Sequence, residues 1–196
     1  VNYCHRASRN DCESMKVDFV QKSVFEPSKI DVSSLRFIVR NKQYVDWVDQ
    51  SAQGKETGVQ VYRRQIGDDL YMLLASDSKD HTSLVGTGAL KEIGLNEDEA
   101  WNRAIDQTRK LLPPLPDGSA LKSEPAAYQG EEYFGSLLGD LEGWSRVSAS
   151  AGPDLIVTAV SDQFVFAGLL PNGSKLNDFA KSVREDCAEA ERCISP

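Results

Sequence analysis

The chain has 196 residues, with 22 Lys and Arg against 30 Asp and Glu, a formal net charge of −8, and 40% hydrophobic residues. Such a composition is typical of a globular protein with one sizeable core, and it excludes disordered, collagen-like and heptad-repeat chains. The longest apolar run, residues 70–75, is much too short to span a membrane. The acidic excess also disfavours nucleic acid and anionic membranes as partners, because both are polyanions.

The first half of the chain contains a predicted helix followed by a predicted hairpin. Residues 1–29 are polar and irregular, and apolar residues then recur at roughly helical spacing over residues 33–51, which predicts a helix. Residues 59–64 alternate between apolar and polar, whereas residues 70–76 are almost continuously apolar. We expect the second of these segments to be a central strand that pairs with the first.

Helix signals dominate the middle of the chain. A short helix over residues 89–93 is expected to end at Gly94. Asn96 then precedes three acidic residues and an apolar face that continues to the stop at Pro113-Pro114. Asparagine is a favoured N-cap, and acidic residues in a first turn complement the helix dipole, so a longer helix is predicted here.

The last third repeats this mixture of helix and hairpin. Residues 131–147 are a helix candidate, residues 155–160 and 164–169 form a second predicted hairpin, and Ser174 begins the final helix. The order of elements predicts one α+β domain over the whole chain, with an antiparallel sheet of two hairpins packed by about four to five helices.

All the cysteines lie near the chain ends, at Cys4, Cys12, Cys187 and Cys193. An even number clustered in this way predicts two disulfides and an oxidising compartment. The chain begins with Val1, which removal of a signal peptide or trimming would explain. A periplasmic or secreted location is therefore expected, with the cytoplasm as the alternative.

Helix geometry bears on how the cysteines pair. If the last helix continued to Cys193, its rise would separate the Cα atoms of Cys187 and Cys193 by about 9 Å, whereas a disulfide tolerates about 4.4–6.8 Å. Either that helix ends earlier, or each C-terminal cysteine pairs with an N-terminal one. We favour the second arrangement, which staples residues 1–29 to the last helix. Zinc binding by the cysteines with His5 is the weaker alternative, because their spacing matches no usual zinc knuckle, and no metal site is assigned.

One candidate functional cluster follows the predicted central strand. Asp77, Asp80 and His81 lie within five residues in a polar segment, where they would suit general acid-base chemistry or weak cation binding. A solvated turn at the end of a strand is the plainer interpretation. The chain has no G-x-S-x-G motif, and residues 85–91 lack the third glycine of a dinucleotide-binding loop. No catalytic residue and no cofactor are therefore assigned.

A second candidate binding surface is a glycine-rich face of the helix predicted within residues 131–147. Gly135, Gly139 and Gly143 recur every four residues opposite an apolar arc, flanked by Glu132 and Glu142. Each glycine weakens a helix by about 0.5–1 kcal/mol relative to alanine, which is offset if another backbone packs closely there. The partner surface is either this fold's own sheet or last helix, or a separate ligand. A break in the helix near Gly139 is a third possibility.

Four stretches together resemble one family, the YtpQ-type family of uncharacterised bacterial proteins. They are residues 67–71 running into Asp77, residues 90–112, residues 133–144 and residues 155–166. The resemblance covers roughly residues 55–170 and departs at the cysteine-bearing ends and at Ser161-Asp162. It implies a bacterial origin and a mixed fold, and it brings no activity, cofactor or catalytic residue.

The charge, the cysteines and the lack of catalytic motifs together favour an exported protein-binding module. An immunity protein or inhibitor that neutralises a basic toxin or hydrolase has these properties, since complementary charge speeds the encounter. One alternative is an envelope hydrolase that uses scattered carboxylates and His81. Another is a structural component of the envelope.

Overall fold

The computed structural model describes residues 30–52, 60–78, 81–130, 133–190 and 193–194. The predicted features of residues 1–29, including Cys4 and Cys12, lie outside these ranges. The described residues form an α+β fold with two antiparallel sheets, of four and three strands. The predicted fold class is therefore confirmed, and the two predicted hairpins belong to separate sheets.

The first sheet is built around β3 (Leu70–Asp77), which is the predicted central strand. One edge of β3 pairs with β1 (Leu35–Asn41) along its length. The other edge pairs with β2 (Arg63–Gln65) and with β4 (Thr82–Leu84), one after the other. The predicted hairpin of residues 59–64 with residues 70–76 is confirmed, although its first strand is regular only from Arg63.

The single helix predicted over residues 33–51 is wrong, because its first half is a strand. A 3-10 turn, Val32–Ser34, leads into β1, and α1 spans Lys42–Ala52. Leu35, Phe37 and Val39 face the main core while Ile38 faces a smaller core beneath α1. On that second face Ile38 lies between Arg36 and Arg40, which interrupts the polar alternation, so the apolar residues of the segment fall by chance at helical intervals.

The outer edge of β1 is covered by side chains instead of by another strand. The Phe37 N–H donates to Thr108 Oγ1 at 2.9 Å, and Ser136 Oγ donates to the Phe37 carbonyl at 3.3 Å. Both side chains are almost fully buried. Buried backbone groups need such partners. These two hydroxyls supply them at Phe37, so the segments that carry Thr108 and Ser136 can cover this edge of the sheet.

The middle helices match their predicted positions. The short helix α2 (Ala89–Glu92) is followed by Gly94, which has a φ of +69° and so reverses the chain. α3 (Glu97–Arg109) begins with a capping box, in which Asn96 and Glu99 each accept a backbone N–H from the other. Trp101 on its inner face is fully buried and anchors α3 on the core between the sheets.

The second sheet has β7 (Phe164–Leu169) at its centre, between β5 (Ala126–Gln129) and β6 (Leu155–Ser161). The predicted hairpin of residues 155–160 with 164–169 is confirmed. A short 3-10 turn, Ala120–Lys122, precedes β5.

Residues 131–147 do not form the single predicted helix. A 3-10 helix, Phe134–Gly139, is followed by α4 (Leu141–Ala151). Asp140 separates them with a ψ of 65°, which is not helical, and its carboxylate accepts the Gly143 N–H at the start of α4. The break near Gly139, one of the sequence-based alternatives, is therefore the arrangement found.

The final helix, α5 (Ser174–Glu189), begins at the predicted residue. Ala190 is extended, with φ −69° and ψ 136°, and the chain turns back so that Cys187 and Cys193 form a disulfide with a Cα–Cα distance of 5.1 Å. The favoured pairing of these cysteines with Cys4 and Cys12 is therefore wrong, because the helix ends before its rise could separate them.

Candidate functional site

A polar cluster at the end of the first sheet includes one predicted site residue. Asp77 accepts a hydrogen bond from Thr82 Oγ1 at 2.9 Å, and the two residues are register partners of β3 and β4. The Tyr133 hydroxyl lies 3.3 Å from the same Thr82 oxygen. Thr82 and Tyr133 were not predicted as site residues, because only the hairpin register and the long-range approach of residue 133 bring them to Asp77.

Burial governs the chemistry of Tyr133. Desolvation by burial raises the pKa of Tyr133 to about 12, the hydrogen bond with Thr82 opposes this shift, and the negative charge of Asp77 adds to it. The phenol is therefore neutral near pH 7 and serves as a hydrogen-bonding group. It is not suited to exchange a proton at that pH.

His81 lies in the same hairpin but contacts a different partner. Its Nδ1 is 3.2 Å from Ser78 Oγ, and that hydroxyl is 2.6 Å from the His81 carbonyl oxygen. Among the described residues, the His81 ring makes no hydrogen bond or ion pair with Asp77, and Asp80 lies outside those residues. An acid-base or cation site built on these three residues stays a prediction.

The glycines of the second candidate contact this chain's own atoms. A Cβ on Gly139 would lie 2.5 Å from the Phe37 ring, and one on Gly135 would meet the Ile194 side chain. Gly143 faces the loop that follows α3. The helix break at Asp140 also prevents the three glycines from sharing one stripe.

Glu142, by contrast, belongs to an ion-pair cluster where α3 ends and α4 begins. Arg109 is 2.7 Å from Asp140 and 3.6 Å from Glu142, and Glu142 is 2.7 Å from Arg146. The hydrogen bond to Asp140 raises the pKa of Arg109. These ion pairs connect the end of α3 to the start of α4. Glu132, the other predicted acidic neighbour, lies outside the described residues.

An open cleft of about 350 Å³ lies beside this ion-pair cluster. The loop of residues 115–118 lines one side, and Asp140, Arg146 and Ser150 line the other. Two large apolar side chains next to cluster residues in the chain are exposed: Leu111, two residues after Arg109, with 46% of its surface, and Leu141, between Asp140 and Glu142, with 52%. We call Leu111, Leu141, the cleft and the ion-pair cluster the α3–α4 surface.

Sequence reasoning missed Leu111 and Leu141 as surface residues. Each lies in an apolar pattern that predicts burial: Leu111 was placed on the inner face of α3, and Leu141 on the apolar arc of residues 131–147. Their exposure follows from where α3 ends and from the break at Asp140, both of which rotate the side chains out of the expected face.

The described ranges contain no group of three or more His, Cys, Asp or Glu residues that could hold a metal ion. Among the helices of those ranges, none combines the length and apolarity needed to cross a bilayer. No family model, curated protein or solved structure matches the chain. The resemblance to the YtpQ-type family therefore stays a prediction.

Proposed function

We propose that this protein is an exported module that binds another protein through the α3–α4 surface. The observation that carries the proposal is the exposure of Leu111 and Leu141, which are close in sequence to the ion-paired residues Arg109 and Asp140. Apolar side chains that stay exposed within a polar rim are typical of protein interfaces.

The partner that fits this surface is a basic protein. The chain carries a net charge of −8, and among the residues that line the cleft Asp117 and Asp140 outnumber Arg146. Backbone and side-chain hydrogen bonds from Ser119 lower the pKa of Asp117, so this exposed carboxylate stays ionised at neutral pH. Charge complementarity speeds encounter and selects partners. An inhibitor or immunity protein that neutralises a basic toxin or hydrolase requires such an acidic binding surface.

The disulfide supports export as the second part of the proposal. Cys187 and Cys193 are paired, and structural disulfides persist in the periplasm and outside the cell but are rare in the cytosol.

Two leucine substitutions with a matched control test the docking surface. Leu111→Ser and Leu141→Ser together remove the exposed apolar groups, while Trp47→Ser removes an aromatic of similar exposure (43%) from α1. A basic partner is first captured from envelope extract, purified, and titrated against each variant. We expect the double variant to bind at least ~10-fold more weakly, since ~1.4 kcal/mol is a factor of ten, and Trp47→Ser to bind as the parent does.

Salt and activity complete the test. Binding should weaken as ionic strength rises, because screening reduces the attraction between opposite charges, and the captured partner's enzymatic or toxic activity should fall on binding. The proposal is refuted if no specific partner is captured, or if Trp47→Ser weakens binding while the double leucine variant does not.

A further inference from the structure

We propose that the disulfide between Cys187 and Cys193 is a redox-controlled latch that holds Ile194 in the core and releases it when a dithiol reduces the bond. Cys187, Cys193 and Ile194 are called the C-terminal latch below. The inference is independent of the α3–α4 surface, since the two share no residue.

The latch docks on a site built by distant parts of the chain. Ile194 is only 1% exposed and contacts Gly135, where a Cβ would leave it no room. The Asn41 side chain donates from Nδ2 to the Cys193 carbonyl at 2.8 Å, while its Oδ1 accepts the Tyr44 N–H at the start of α1. One asparagine therefore caps a helix and holds the returning chain.

The walls of this site are held together without the latch. The Gly135 N–H donates to the Asp162 carbonyl at 2.9 Å, and Arg40 pairs with the Asp162 carboxylate at 2.5 Å, with both side chains mostly buried. These contacts join the end of β1, the β6–β7 turn and the 3-10 helix. The pocket should persist when Ile194 leaves, so we expect local release in place of unfolding.

The disulfide decides whether Ile194 stays docked. Among the described residues beyond the end of α5, the contacts besides the disulfide that retain the chain are the buried side chain of Ile194 and the hydrogen bond from Asn41 to Cys193. Ordering several residues of chain opposes these two contacts. The covalent bond to Cys187 removes most of that cost, because it holds Ile194 next to its pocket at a high effective concentration.

The opening step is a thiol–disulfide exchange with a dithiol as the reductant. Cys187 is buried and Cys193 is partly exposed, so a reductant thiolate attacks Sγ of Cys193, and Sγ of Cys187 leaves and takes up a proton. The second thiol of the reductant then attacks the mixed disulfide and releases Cys193 as a thiol. Two electrons pass to the protein, and the reductant becomes a disulfide.

Hydrogen exchange and carboxypeptidase digestion of the full chain test the latch. Dithiothreitol-treated protein and the C187S/C193S variant should both exchange amides of residues 133–139 at least ~10-fold faster than the oxidised parent. Both should also lose Ile194 to carboxypeptidase at least ~10-fold faster. Near-ultraviolet circular dichroism from the buried Trp101 and Trp144 should be retained.

Two further variants make the result specific. The C4S/C12S variant, in which only the C-terminal disulfide can form, should match the oxidised parent and should open with dithiothreitol. Ile194→Ala, with the disulfide intact, should speed exchange at residues 133–139 while digestion stays slow. The latch is overturned if reduced protein keeps Ile194 protected within ~2-fold of the parent. It is equally overturned if reduction abolishes the tryptophan dichroism, because the disulfide is then a staple of the whole fold.

Discussion

The same substitution, Thr to Val, should have opposite effects on stability at two buried positions. Thr108 is fully buried on α3, and its Oγ1 accepts the Phe37 N–H at 2.9 Å. Thr158 is 6% exposed on β6, and within the described part of the chain its Oγ1 has no hydrogen-bond partner. Val has the shape of Thr without the hydroxyl, so Thr108→Val and Thr158→Val compare a used hydroxyl with an unused one.

The magnitudes follow from what each substitution leaves behind. Thr108→Val leaves the buried Phe37 N–H without an acceptor, which costs about 1–3 kcal/mol. Thr and Val have similar helix propensities, so the backbone contributes little. Thr158→Val removes a buried hydroxyl that makes no hydrogen bond and places a favoured residue in a strand, so we expect no loss and a gain of up to ~2 kcal/mol.

Urea unfolding followed by the fluorescence of Trp101 and Trp144, with disulfides intact, measures both effects. With a slope of about 2 kcal/mol/M, a loss of ~2 kcal/mol lowers the midpoint by ~1 M. Thr108→Ser keeps the hydroxyl and serves as the control, with a smaller loss from its missing methyl group. The reasoning fails if Thr108→Val lies within ~0.5 kcal/mol of the parent, or if Thr158→Val is destabilised as much as Thr108→Val.

Three further predictions concern single contacts. Asn96→Ala removes one half of the capping box of α3 and should lower the free energy of unfolding by about 1 kcal/mol in the same urea assay. Absorbance at 295 nm, compared with Tyr133→Phe, should show one tyrosine of this chain titrating with a pKa of about 12. This folded-state pKa lies above the unfolded value of about 10. The neutral Tyr133 phenol therefore stabilises the fold fully below pH 10, and this stabilisation is lost as the pH rises to about 12. The Tyr133→Phe variant should not show that loss. Gly139→Ala should lower the melting temperature because its Cβ meets the Phe37 ring at 2.5 Å, whereas Gly67→Ala, with its nearest neighbour at 3.6 Å, should be neutral or slightly stabilising.

Local signals were sufficient for elements that are specified by their own residues. α3 was predicted because Asn96, the acidic first turn and the apolar face all lie within one segment. The strands β3, β6 and β7 were predicted because apolar runs bounded by turns are typical of strands. These features depend on neighbours a few residues away, and such neighbours are visible in the sequence.

Elements that depend on distant partners were mispredicted. β1 was taken for helix because Ile38 is buried on the same face as Arg36 and Arg40, which interrupts the polar alternation of the strand. Phe37 needs Thr108 and Ser136, which are 71 and 99 residues away, to satisfy its backbone groups. The spacing of apolar residues along the sequence does not depend on such partners and therefore cannot reveal them.

The functional features also divide into those that the sequence determines and those that depend on tertiary contacts. The sequence by itself determined the acidic charge and the placement of the cysteines, which are properties of the residues alone, and the order of its local patterns indicated the α+β class. Only the tertiary structure decided that Cys187 pairs with Cys193, that Tyr133 joins Asp77 through Thr82, and that Leu111 and Leu141 are exposed. Each of these depends on where a helix ends or which residues meet across the fold, and that is set by packing between segments far apart in the chain.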